Sequence, residues 1–114
     1  MDARIDVHAD DTERVVVAVW GEVDLASRDR LQSAIVTAIG EAGPGHNVIV
    51  DLSETTFLDS TGIGVLVRGS QAADAAMVDY AIAGATGMVR EVLELTGVLG
   101  ALTKDHPDLD LAPE

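Results

Sequence analysis

Cysteine is absent from the 114 residues, which excludes disulfides and thiolate metal sites and leaves the compartment open. Aromatic residues are nearly absent, with one Phe, one Tyr and one Trp, so the core has to be aliphatic. Basic residues are scarce, seven Lys and Arg against twenty Asp and Glu, and the formal net charge is −13. Such a field disfavours nucleic acid and anionic membrane and favours a partner with a basic face, although an acidic surface also serves solubility alone. No apolar run is long enough to span a bilayer. The N-terminus lacks the charged-then-apolar pattern of a signal peptide, so the expected location is cytoplasmic. His8, His46 and His106 fall on separate segments without metal-ligand spacing, and no glycine-rich phosphate loop carries a lysine. No cofactor and no metal is expected.

What is present is a chain with 47% apolar residues, enough for one domain and one core and too short for two. Its organising stretch runs from Asn47 to Leu66. Val48 to Leu52 reads as a strand covered on both faces. A short polar loop with Thr55 and Thr56 follows, pinned to the core by Phe57 and Leu58. A helix then starts at Asp59-Ser60-Thr61-Gly62, where Asp59 or Ser60 can accept from the unpaired N–H groups of the first turn. Ile63, Leu66, Val67, Ser70, Ala73 and Met77 form its predicted apolar stripe. Gly62 and Gly64 weaken the first turn of that helix. Their use is either close approach of a partner backbone or tight packing on the sheet.

The remaining elements follow from the same patterns. Residues 4–20 read as a hairpin, with Ile5, Val7 and Ala9 on one side of its first strand and Asp6 and His8 on the other. Gly21 marks a bulge or close approach. Ser27 is the predicted N-cap of a helix whose buried stripe is Leu31, Ala34, Ile35, Ala38 and Ala42, ended by Gly43-Pro44-Gly45. Tyr80 to Ala83 reads as a further strand. Gly84 to Gly87 then turns into a third helix, with Met88, Val89, Val92, Leu93 and Thr96 inward and Gly97 ending it. The expected fold is α/β: a small mixed sheet of about four to five strands, opened by a hairpin, with helices packed against it. Residues 1–103 form the expected domain, and 104–114 a short acidic tail.

Phe57-Leu58-Asp59-Ser60-Thr61-Gly62-Ile63-Gly64-Val65-Leu66 resembles the signature of STAS domains, specifically the bacterial anti-sigma factor antagonists. Gly21-Glu22-Val23-Asp24-Leu25 and Val92-Leu93-Glu94-Leu95-Thr96-Gly97-Val98 support the resemblance in the family's order, so that it spans roughly residues 13 to 100. It implies the STAS fold, and it implies that Ser60 is phosphorylated by an anti-sigma factor of the histidine-kinase-like ATPase type. It further implies a kinase-facing surface at Asp24, Asp59, Ser60, Thr61, Gly62, Ile63 and Gly64, and a phosphatase that resets the switch. A phosphate of roughly −1.5 to −2 charges is tolerated at a helix N-terminus, so the partner rather than the domain would feel it. From the residues alone Ser60 also reads as a simple cap, and Asp24 as a helix-entry acid. Ala76-Met77-Val78-Asp79, where many relatives turn with glycine, departs from the family pattern.

The resemblance implies no cofactor in this chain; the residues offer no support for catalysis, and the acidic charge leaves neither nucleic acid nor membrane as an expected partner. Asp10, Asp11, Asp51 and Lys104 echo a response-regulator receiver, but the acid pair there leads into a helix and here Val15 to Val19 is a strand. Ser60 lacks the glycine two residues earlier that a hydrolase nucleophile elbow needs. The second reading of function is an interaction module of a larger assembly, a stress-signalling scaffold, anion transporter or lipid-transport ATPase, without a phosphate switch. Small-ligand or nucleotide sensing by the domain itself has no site to support it. The hairpin edge leaves the oligomeric state open.

Overall fold

A computed structural model describes residues 3–10 and 14–95. Strand β1 (Arg4–Ala9) pairs antiparallel with β2 (Val15–Val23), which gives the expected hairpin. Helix α1 (Arg28–Ala42) then returns the chain to β3 (Asn47–Leu58), α2 (Ser60–Ala75) to β4 (Asp79–Ala83), and α3 (Gly87–Leu95) follows. The sheet order is β1-β2-β3-β4, with β2, β3 and β4 mutually parallel. Two consecutive crossovers of the usual right hand, each stepping one strand in the same direction, must place α1 and α2 on the same face. The main core therefore lies between that face and the helices: Val15, Val17, Val19, Val48, Val50 and Leu52 meet Leu31, Ile35, Val65, Leu66, Val89 and Leu93. Ile49, Ala81 and Ala83, on the alternate residues, form a separate small buried cluster.

Parallel strands put their carboxyl ends on one rim, and β2 and β3 both lead there into a helical turn. This is the rim that carries the signature residues.

Several details differ from the sequence reading, each for a packing reason. The expected polar loop after Leu52 is strand instead, and β3 runs on to Leu58. Thr55 is buried, and its hydroxyl donates to the Val19 carbonyl (2.9 Å), which lets a threonine sit inside the sheet without an unpaired group. Of the two residues expected to pin that stretch, Leu58 is buried and Phe57 is exposed. The α2 stripe is turned from the predicted one. Gly62, Val65, Leu66, Gly69 and Ala73 are buried, because the bare Cα atoms of Gly62 and Gly69 let the helix lie closest along that line. A Cβ on Gly69 would stand 2.7 Å from the Tyr80 hydroxyl oxygen and 2.9 Å from Ile35 Cγ2. Tyr80 is tethered there, donating to the Leu66 carbonyl (3.0 Å). In α1, Ile39 joins Leu31, Ile35 and Ala38 in the core, while Ala34 and Ala42 pack at its margin. Met88, expected inward, is exposed, whereas Val89 and Leu93 are buried.

Met77, placed on the α2 stripe by spacing, lies beyond the helix and is 74% exposed. Its φ of 63° is left-handed. The Val78 N–H donates to the Ala73 carbonyl (2.9 Å) and the Met77 N–H to that of Asp74 (3.1 Å), so the helix closes with a Schellman pair built on a methionine instead of the usual glycine. Gly21 does mark a bulge: its φ is 91° and the β2–β3 register shifts beside it. The expected inward Thr96, Gly97 and the acidic tail lie outside the described residues.

Candidate functional site

The site is built where β2 and β3 end together. Val23 pairs with Leu58, and the Asp59 N–H donates to the Val23 carbonyl (3.3 Å). The next residue on each strand is an aspartate, so Asp24 and Asp59 emerge side by side on the rim. Each caps a helical turn.

Asp59 is the N-cap of α2, in extended conformation, and its Oδ1 accepts from the Gly62 N–H (3.1 Å). The same oxygen accepts from the Thr61 hydroxyl (2.5 Å). That hydroxyl, assisted by the backbone N–H groups, holds the Asp59 carboxyl below its ordinary value against a smaller opposing cost of burial. A carboxylate held ionised and turned onto the helix amides is a cap rather than a proton acceptor. Ser60, the first residue of the helix, is exposed, and its hydroxyl makes no hydrogen bond within the described residues. A free hydroxyl therefore stands at the positive end of a 16-residue helix.

Asp24 caps the short 3-10 turn Leu25–Ser27, accepting from the Ala26 N–H (3.0 Å). Ser27 does not cap α1 with its side chain. It is buried and bonded back to Asp24, accepting from the Asp24 N–H (3.1 Å) and donating to the Asp24 carbonyl (3.2 Å). The sequence signal for a helix start was sound, but an extra turn intervenes between strand and helix.

The structure thus brings Asp24, Asp59, Ser60 and Thr61 to one rim. Gly62 is buried beneath them, where a Cβ would stand 2.5 Å from Leu58 Cδ1 and 2.8 Å from Val23 Cγ1. Close packing on the strand ends is what this glycine serves. Ile63 packs half-buried against the core. Gly64 is less confined: a Cβ there would meet nothing closer than the Arg68 guanidinium at 3.4 Å. Two exposed apolar side chains of the same region, Leu25 at 66% and Phe57 at 37%, escaped the reading of the sequence as site residues. The available signal was a large apolar residue within two positions of each capping acid. Among the described residues no group of acidic, histidine or cysteine side chains is placed to hold a metal ion.

The model of the STAS domain matches residues 4–112. A protein of Listeria monocytogenes named anti-sigma-B factor antagonist is 24% identical over 98 residues, covering 86% of this chain and 84% of that protein. A crystal structure of an anti-sigma factor antagonist from Mycobacterium paratuberculosis superposes with a TM-score of 0.75 at 25% identity, covering 93% of this chain and 84% of that one. The Bacillus cell fate determinant SpoIIAA in its phosphorylated form shares the fold, with a TM-score of 0.65 at 21% identity over 87% of each chain. A match of this extent, on the strand order and rim described above, makes this chain a member of the STAS domain family.

Proposed function

We propose that this protein is an anti-sigma factor antagonist, a binding switch without catalytic chemistry of its own. Unphosphorylated, it engages an anti-sigma factor of the histidine-kinase-like ATPase type and frees a sigma factor. Phosphorylated on Ser60 by that partner, it lets go, and a phosphatase resets it. The observation that carries this reading is the exposed, unbonded Ser60 hydroxyl at the start of α2, beside two capping acids. The names of the relatives support the class of partner. In the transfer the Ser60 hydroxyl oxygen bonds to the γ-phosphorus of the partner's ATP, the bond to the β,γ-bridging oxygen breaks, and ADP leaves. The hydroxyl proton goes to a base on the kinase, since Asp59 is committed to the helix.

Asp24, Asp59, Ser60, Thr61 and Gly64 form the proposed contact surface, with Gly62 and Ile63 shaping it from below and Leu25 and Phe57 as apolar contacts. The added phosphate beside Asp59 acts by like charge and bulk on the partner's side of the interface. SpoIIAA supports a domain that keeps its fold through the event, because this chain matches its unphosphorylated and phosphorylated forms with TM-scores of 0.64 and 0.65. The test is intact mass and peptide mapping from native cells, with and without stress, joined to pull-downs with Ser60→Ala and Ser60→Asp. One phosphate on the Ser60 peptide, and retention of an ATPase by the alanine variant but not the aspartate variant, are expected. A Ser60 peptide never phosphorylated, with the same partner held by both variants, overturns the switch and favours a constitutive interaction module.

A further inference from the structure

The motif offers two adjacent hydroxyls to a kinase, and the rim treats them oppositely. Thr61 gives its proton to Asp59 Oδ1 at 2.5 Å and is half-buried; Ser60 is exposed, and among the described residues its hydroxyl has no hydrogen-bond partner. A hydroxyl bonded to a carboxylate must break a charge-assisted bond before its oxygen can attack phosphorus. Its β-branched side chain is also stiff at χ1. At the same time the bond fixes Asp59, since Oδ1 is held both by Thr61 and by the Gly62 N–H.

We infer that Thr61 is the positioning residue that selects the phosphoacceptor: by clamping Asp59 it withdraws its own hydroxyl and leaves Ser60 as the single reactive oxygen of the motif. This rests on the switch reading above. The clamp has a second effect on the same reaction. With its carboxylate turned onto the helix amides, Asp59 neither hydrogen-bonds the Ser60 hydroxyl nor drifts toward the incoming γ-phosphate, whose charge it would repel. The clamp thus sets the rate at Ser60 as well as the choice of site.

The test pairs Thr61→Val, which keeps the shape and removes the hydroxyl, with Thr61→Ser, which restores it. Phosphate incorporation from ATP is followed with the anti-sigma factor retained by the unphosphorylated protein, and the Asp59 carboxyl is titrated by carbon-detected NMR in the free protein. Thr61→Val should slow incorporation at Ser60 by about tenfold, the equivalent of one hydrogen bond to a charged group, and move the Asp59 titration up toward the ordinary carboxylate value. Thr61→Ser should restore the rate and the low titration together. Ser60→Ala should take up no phosphate, whereas Asp59→Asn combined with Ser60→Ala should acquire phosphate on Thr61. Rapid labelling of Thr61 in Ser60→Ala alone, or a Thr61→Val protein with unchanged rate and unchanged Asp59 titration, overturns the selector. Absence of phosphate from the wild-type protein instead overturns the switch, while the titration still reports whether the clamp exists.

Discussion

At the end of β2, Asp24 caps a turn and Ser27 is locked to it by two hydrogen bonds, buried and unavailable. At the end of β3, one strand over, Asp59 caps a turn, draws its hydroxyl from Thr61, and leaves the serine next to it bare. The two junctions use the same chemistry: an acid, a hydroxyl and a helical first turn. They differ in where the hydroxyl sits relative to the cap. Three residues beyond the acid, it closes on the acid's own backbone and becomes structure. Two residues beyond, it closes on the carboxylate and frees the position between them. One residue of spacing thus separates a hydroxyl that closes on the acid's backbone from one that closes on its carboxylate, and the following substitutions test that contrast.

The largest expected effect lies beneath the second junction. Gly62→Val should cost about 1–3 kcal/mol in urea unfolding, because the new side chain collides with Leu58 and Val23. Gly64→Ala, facing only a flexible guanidinium, should gain up to about 1 kcal/mol from helix propensity. Equal costs at the two glycines would mean that close packing does not distinguish them. Next comes the serine pair. Ser27→Ala should cost about 1–2 kcal/mol by stranding the Asp24 N–H, while Ser60→Ala should stay within about 0.5 kcal/mol. Comparable losses at both would erase the contrast.

The acid of the second junction supplies a pH signature. Its folded value is lowered, so the unfolded chain takes up the proton first as pH falls. The associated stability is complete above the ordinary carboxylate value and is lost as pH drops through the folded one. Asp59→Asn should flatten the fall in unfolding free energy below about pH 4; an unchanged slope would show that other carboxyls produce it. The smallest effect is at the opposite end of α2. Met77→Gly relieves a left-handed methionine and should stabilise by something under about 1 kcal/mol, measured as a small rise in Tm with partner binding unaffected.

Much of this was legible beforehand. Hydrophobic alternation gave the hairpin and Gly21 its bulge, and Gly43-Pro44-Gly45 gave the end of α1, because those signals are local. The rim was legible as a motif, though its internal wiring was not. Thr55 reads as a loop residue until Val19 is seen across the sheet to accept its proton, and Ser27 reads as a helix cap until the extra turn is seen. The α2 stripe was misplaced because spacing of apolar side chains ignores glycine: here the absence of Cβ atoms at Gly62 and Gly69 marks the buried line. Met77 and Met88 fall on apolar stripes by helical spacing, yet both face solvent.

Tyr80, anchored beneath α2 on the Leu66 carbonyl, is the chain's one tyrosine, and Trp20, stacked under the Arg4 guanidinium at 5.1 Å, is its one tryptophan. Burial pushes the Tyr80 phenol far above its ordinary range, so tyrosinate absorbance in alkali appears only as the α2–β4 contact opens. Tryptophan emission reports separately on the hairpin. Each optical signal has a single source, and the protein therefore carries two unlabelled reporters, one for the helix that bears Ser60 and one for the hairpin at the sheet's edge.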